Sequence, residues 1–223
     1  MQNEREYVED TKRHIGEVGD SIGEFLDAID DAAEECSREA ADVLDDIAEA
    51  LERRADGHDA SKLEEPEKAG FMAHGPKGSA TAGLLQLTLS RHRRANRHHP
   101  EHWQRGIAGM TLVDLVEMYA DWEADGDMGK AIAAGKDAYG MSDELVSLFR
   151  ETADGKELTH AVDEDGAGHM NLTDLATLFA RWVAASGSAS RDGISFGGRR
   201  VAMQPQLLSV FGNTAAAWRK GDL

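Results

Sequence analysis

From Ile22 to Leu51 the apolar residues return at steps of three and four: Ile22, Phe25, Leu26, Ile29, Ala33, Cys36, Ala40, Val43, Leu44, Ile47, Leu51. That period belongs to an α-helix with one buried stripe, and the intervening positions are crowded with Asp and Glu. A chain that spends thirty residues in this way must bury the stripe against other helices. The rest of the sequence agrees. Alanine, glutamate and leucine are abundant, proline occurs only at 66, 76, 100 and 205, and aromatics are few. The expected fold class is all-α, a helical bundle.

Local signals divide the chain. Tyr7, Val8, Ile15 and Val18 mark a first helix over about 3–18, and Ser21-Ile22-Gly23-Glu24 has the form of a capping box opening the long helix. That helix is expected to end near Ala55-Asp56-Gly57. Residues 69–83 are rich in Gly and Ala and read as loop. A helix from Leu84 to about Arg97 stops before Pro100. Thr111 and Asp114 cap another helix through about Ala124, and a further one covers roughly 141–152. Cys36, the single cysteine, has no internal disulfide partner; its apolar register makes it a small core residue and fits a reducing compartment.

The tail repeats the middle. Met110 to Ala124 aligns with Met170 to Ala184, identical at seven of fifteen positions with an offset of 60. Met141, Leu145, Ser147, Phe149 and Thr152 recur as Met203, Leu207, Ser209, Phe211 and Thr214 at an offset of 62. The division expected is 1–154, a metal-binding helical domain, and 155–223, a ligand-poor repeat of the unit at 100–153. In the second copy Asp121 has become Arg181, and the histidine run corresponds to Thr159-His160-Ala161-Val162-Asp163.

Charge narrows the partners. The net −18 is concentrated at the front: residues 1–67 hold 23 acids and 7 Lys+Arg, residues 68–154 hold 12 and 10, and residues 155–223 hold 7 and 7. A nucleic-acid backbone calls for clustered cations, so it is an unfavoured partner. Lysines number 8 against 16 arginines, and with the acidity this points to a high-salt interior or a GC-rich genome. No run of eighteen apolar residues offers a membrane span, and the start lacks a secretory pattern. The expected location is cytoplasmic, or virion-associated if the chain is viral. A protein partner or self-association would engage residues 155–223.

Six of the nine histidines fall within 58–74 and 92–102. His58-Asp59 places an imidazole beside a carboxylate, and His98-His99 adds two imidazoles. His14 lies on the first helix and Asp121 on the helix after Thr111. Helical bundles gather ligands from facing helices, so these six are the candidate metal ligands. Mixed N/O donors suit Mn, Fe, Co, Ni or Zn. The other reading of Asp121 is a solvent-facing acid alongside Asp114 and Glu117. Lys62, three residues after Asp59, is a candidate catalytic and phosphate-holding cation, and Arg94, in the cationic stretch Arg91–Arg97, a second phosphate contact. That stretch also reads as a counterion to the acidic helix, and Lys62 as a partner of Glu65. His102 and Trp103 are candidates for the rim of the site. There is no Walker loop, nucleophile elbow, paired-Cys zinc knuckle or EF-hand loop.

The order His14, His58-Asp59, His98-His99, Asp121 resembles that of the HD-domain metal-dependent phosphohydrolases, named for their adjacent His-Asp pair. His98-His99 is similar to the extra imidazoles of members that hold two metals. The runs Glu9–Ile15, Arg54–Lys62, His98–Trp103 and Glu117–Trp122 also resemble an uncharacterised family of bacterial and phage proteins, over about residues 5–153. The first resemblance implies an HD-like bundle, one or two divalent ions and a nucleotide or other small phosphate ester as substrate. The second implies no activity. Two alternatives stay open: a non-catalytic structural or assembly protein with a structural metal, and a metal-free bundle whose histidines pair with acids.

Overall fold

The acidic amphipathic stretch folds back on itself. In the computed structural model, which describes residues 3–73, 80–159 and 169–223, α1 (Glu4–Glu34) and α2 (Arg38–Gly57) form a helical hairpin. The turn falls at Glu35-Cys36-Ser37, where Ser37 caps α2 by accepting from the Ala40 amide. The expected break at Ser21–Glu24 does not exist: α1 runs through it, and the buried Ser21 hydroxyl donates to Glu123 instead, at 2.6 Å. The apolar period survives the real break because both arms face one core, α1 with Val18, Ile22, Phe25 and Ile29, α2 with Val43, Leu44, Ile47 and Leu51. Cys36 sits half-buried in the turn rather than in a helix.

Next come a 3-10 turn at Ala60–Leu63, α3 (Glu67–Phe71) and α4 (Ala80–Ala95), then two further 3-10 turns at Pro100–His102 and Gly106–Gly109. The end of the expected loop at 69–83 is therefore helical at both sides. Helix α5 (Leu112–Ala124) has the expected capping box, Thr111 with Asp114. Every residue from Leu112 to Asp121 is buried, so α5 is the central rod of the bundle. Fully burying one Leu or Phe is worth about 1.5–3 kcal/mol.

Helix α6 (Met128–Tyr139) lies between α5 and α7 (Asp143–Asp154) and has no counterpart among the sequence expectations. It buries only Ile132 and Gly135, and it lies close at the glycine: a Cβ there would sit 2.2 Å from the Trp122 ring. The second copy supplies α8 (Leu172–Ala184) and α9 (Pro205–Trp218). Between them, in place of a helix, stands a small antiparallel sheet, β1 (Ser188–Ser190), β2 (Gly193–Phe196) and β3 (Arg199–Ala202), in that order. Its inward residues Ile194 and Val201 pair directly and join the core. Among the described residues the fold is all-α apart from this sheet.

The two copies pack alike. Tyr119 meets Phe149 edge-on at 5.5 Å, and their counterparts Phe179 and Phe211 meet at 5.4 Å. Helix α8 carries the same capping box as α5, built from Asn171 and Asp174. One continuous core draws on α1, α2, α5, α6, α7, α8, α9 and the sheet, and so on both copies. His160–Asp163, read as the counterpart of the histidine run, lies outside the described residues.

Candidate metal centre

Four parts of the chain meet at one end of α5. Helix α1 contributes His14. Helix α2 ends at Gly57, and the two residues that follow, His58 and Asp59, leave the helical conformation. Asp59 takes φ +50°, a left-handed geometry that side chains other than glycine adopt at a cost, aspartate among the least reluctant. The turn brings its carboxylate inward, fully buried. The last turn of α4 contributes His92, the following loop His98 and His99, and α5 itself Glu117 and Asp121.

The inward atoms form two sets that share Asp59. In the first, Asp121 Oδ1 lies 3.1 Å from His14 Nε2 and 3.4 Å from His58 Nε2. Asp59 Oδ2 lies 4.0 and 3.6 Å from the same two nitrogens. In the second, Asp59 Oδ1 lies 3.0 Å from His92 Nε2 and 3.7 Å from His98 Nε2, with His99 completing the group. Within each set all donor atoms lie within 4.8 Å of one another. Ligands bound at about 2.1 Å are separated by roughly 3.0–3.4 Å in octahedral or tetrahedral coordination, so the spacings suit a transition-metal ion in each set.

A second layer aims the imidazoles. Glu117 Oε1 is 3.1 Å from both His58 Nδ1 and His98 Nδ1. Glu67 Oε2 is 3.0 Å from His92 Nδ1 and also accepts from Ser61. An ionised carboxylate only accepts, so an Nδ1 that faces one donates to it, and the Nε2 of the same ring is turned inward, free to bind an ion once any proton on it has left. Behind this layer Arg54 donates to Glu117 and Asp114, and Arg97 holds Asp114 with two hydrogen bonds.

The inward atoms themselves have no such partners. Among the described residues, seven buried side-chain N or O atoms lack a hydrogen bond, and six are His58 Nε2, Asp59 Oδ1 and Oδ2, His92 Nε2, His98 Nε2 and His99 Nε2. Lys62 Nζ touches Asp59 Oδ2 and His92 Nε2 lies 3.0 Å from Oδ1, in neither case aligned as a hydrogen bond. An unsatisfied buried polar atom costs about 1–3 kcal/mol, and proteins carry few of them. Six converging on one region make a site that could hold a cation.

Electrostatics support this. Burial pulls the His58 imidazole down, yet Asp121, Glu117 and Asp59 outweigh it and push it up to about 9. Burial works to raise Asp59 and Asp121, but the histidines around them, with Lys62 beside Asp59, hold both carboxyls well below the usual range. Glu117 is likewise held at about 2 against its own burial. His99, buried next to His98, falls to about 3 and stays neutral, the form that donates a lone pair. A divalent ion competes with the His58 proton for the same carboxylates.

All six histidine and aspartate ligands expected from the sequence converge here. Asp121 is buried and paired, not solvent-facing, and so are Asp114 and Glu117. Lys62 contacts the donors and does not pair with Glu65, which approaches Lys68 instead. Arg94 does not join them: it is exposed on α4, two residues and so about 200° around the helix from His92. In the same stretch Arg97 serves as a counterion, to Asp114 on α5, and stacks on Trp103 at 4.8 Å. His102 is turned to the Arg94 carbonyl. The sequence reading missed His92, hidden among arginines, and the orienting acids Glu117 and Glu67.

Residues 3–154 match a family of proteins described as a family of unknown function (DUF5662), and the chain belongs to it. Every donor named above lies inside that match, which stops where the ligand-poor copy begins. No curated protein and no solved structure matches the chain. Among the described residues no helix is long and apolar enough to cross a membrane.

Proposed function

We propose that this protein is a metal-dependent phosphohydrolase acting on a nucleotide or another small phosphate ester. The convergence of six unpartnered buried donor atoms from His58, Asp59, His92, His98 and His99 carries the reading. Two sets sharing Asp59 suit two divalent ions, drawn from Mn, Fe, Co, Ni or Zn. The resemblance to HD-domain phosphohydrolases supports the same chemistry. A bound ion would supply Lewis acidity toward a phosphoryl oxygen and an acidified water.

The chain's own residues would do the rest. Asp59, kept ionised at neutral pH, would hold an ion through each of its two oxygens. His14 is partly exposed, and its Nδ1 lies 3.7 Å from the exposed Asp125 carboxylate, so this side of the site is open to solvent. Lys62, also partly exposed and against Asp59, would neutralise a phosphoryl oxygen. These half-exposed groups favour catalysis over a purely structural metal, which is normally closed in by protein.

The test is hydrolysis of bis(p-nitrophenyl) phosphate and of nucleoside phosphates by the full chain with Mn²⁺ or Fe²⁺. Activity that disappears in Asp59→Ala is the expected result. Equal activity in that variant would end the assignment.

A further inference from the structure

The duplication is crossed. In the first copy the Leu112 amide, in the first turn of α5, donates to Thr214 Oγ1 on α9 at 2.9 Å. In the second the Leu172 amide, in the first turn of α8, donates to Thr152 Oγ1 on α7 at 3.0 Å. Each threonine hydroxyl donates in turn to the carbonyl four residues back, Thr214 to Val210 and Thr152 to Leu148, both at 2.7 Å. The starts of α7 and α9 exchange contacts in the same way: the Ser142 amide donates to Gln206, and the Gln204 amide to Glu144. Each copy therefore caps the central helix of the other, as two subunits related by a two-fold axis would.

The two sides differ in what the capped helix bears. Helix α8 has Thr177 and Arg181 where α5 has Glu117 and Asp121. Asp174 of its capping box accepts from Thr159, whereas Asp114 anchors Arg54 and Arg97. Helix α9 holds the first copy by a further contact. Asn213 donates to the Ala108 and Met110 carbonyls and accepts from Arg105. Those residues belong to the segment that joins His98-His99 to α5. So α9 grips the chain between His98-His99 and α5, and fixes the first turn of the helix that carries Glu117 and Asp121.

We propose that Asn213 and Thr214 are positioning residues for the metal centre, and that residues 155–223 serve as a built-in partner holding α5 in register. The proposal rests on the donor cluster being a metal centre. The connection is short and mechanical. A rigid helix carries any shift of Leu112 to Glu117 and Asp121, five and nine residues on, about 7.5 and 13.5 Å along the axis. Glu117 sets the orientation of His58 and His98, and Asp121 supplies a donor itself. The ion-bearing unit is thus tuned by a segment outside the family match, and the copy that lost its ligands kept this task.

The pseudo-symmetry provides its own control. Thr214→Val and Thr152→Val each remove one buried acceptor of the same geometry, in the full chain, and are expected to lower Tm by similar amounts, roughly 2–6 °C. Titration with Co²⁺, read by its d–d absorption and by competition with a chelator, separates them. Thr214→Val is expected to weaken Co²⁺ binding about tenfold and to change the spectrum, and Thr152→Val to leave both as in the parent. Thr214→Ser restores the affinity, and Asn213→Ala gives the same loss should Thr214→Val fold poorly. Equal Co²⁺ affinity and spectra in the Thr214 and Thr152 variants would overturn the positioning role while leaving the metal centre standing. A parent chain that takes up no Co²⁺ would overturn both.

Discussion

Replacing Glu117 with glutamine tests the orienting layer with almost no change of shape. One oxygen of Glu117 serves two imidazoles, at 3.1 Å each, and the other accepts from Arg54 at 3.2 Å. Glutamine keeps one acceptor and loses the charge, so at most one side of this arrangement survives. Losing an orienting partner typically costs 10–100-fold in metal affinity, and with two imidazoles at stake the upper end is expected, about 100-fold or 2.7 kcal/mol. A second magnitude follows for the metal-free protein. Glu117 is held at about 2 against an ordinary 4.5, which corresponds to an upper bound of about 3 kcal/mol of stability at neutral pH. For a chain of this length that is a fall in Tm of roughly 6–12 °C. The assay is chelator competition at pH 7.5 beside thermal melts with and without metal. A lowered Tm with unchanged metal affinity would refute the reasoning, because Glu117 would then be only a core residue.

Two more outcomes follow from the geometry. His58, pushed up to about 9 from an ordinary 6.5, stabilises the metal-free fold fully below pH 6.5 and loses that contribution as pH rises through 9. His99 at about 3 and Glu117 at about 2 act oppositely, contributing above 6.5 and 4.5 and failing as pH falls through their lowered values. Urea midpoints in EDTA should therefore peak near pH 6.5, while metal affinity climbs from 6.5 to 9 as the His58 proton leaves; a midpoint rising through that window contradicts the account. His92→Ala removes one donor of the second set and none of the first. Elemental analysis should find one ion where the parent holds two, and retention of both would mean that His92 is no ligand.

What the sequence disclosed, and what it hid, follows from the kind of signal each residue leaves. The convergence of His14, His58, Asp59, His98, His99 and Asp121 was legible because adjacent imidazoles and carboxylates are conspicuous. His92 was not, since its arginine neighbours gave it the look of a cationic surface helix. Glu117 resembled a solvent-facing acid, yet α5 is buried on all sides from Leu112 to Asp121, and such a helix has no solvent face to offer there. The helical class was legible from the period at 22–51, but the period could not reveal the turn at Glu35–Ser37, because both arms of the hairpin point their stripes into the same core. Helix α6 and the sheet at 188–202 were hidden for different reasons. Helix α6 buries only Ile132 and Gly135, too few to mark a stripe along its length, whereas the strands are themselves too short to establish an alternation. The crossed caps at Thr152 and Thr214 depend wholly on tertiary pairing, although their recurrence at an offset of 62 marked both positions in advance.

The account turns on whether two imidazole-carboxylate sets, joined through Asp59, hold cations. Elemental analysis of the full chain, purified without chelator and reconstituted with Mn²⁺, Fe²⁺, Co²⁺, Ni²⁺ or Zn²⁺ in turn, measures this directly. The account predicts close to two ions per chain for at least one of these metals, falling to none in Asp59→Ala. A chain that retains no ion after exposure to all five, or binds as many without the Asp59 carboxylate, would contradict it.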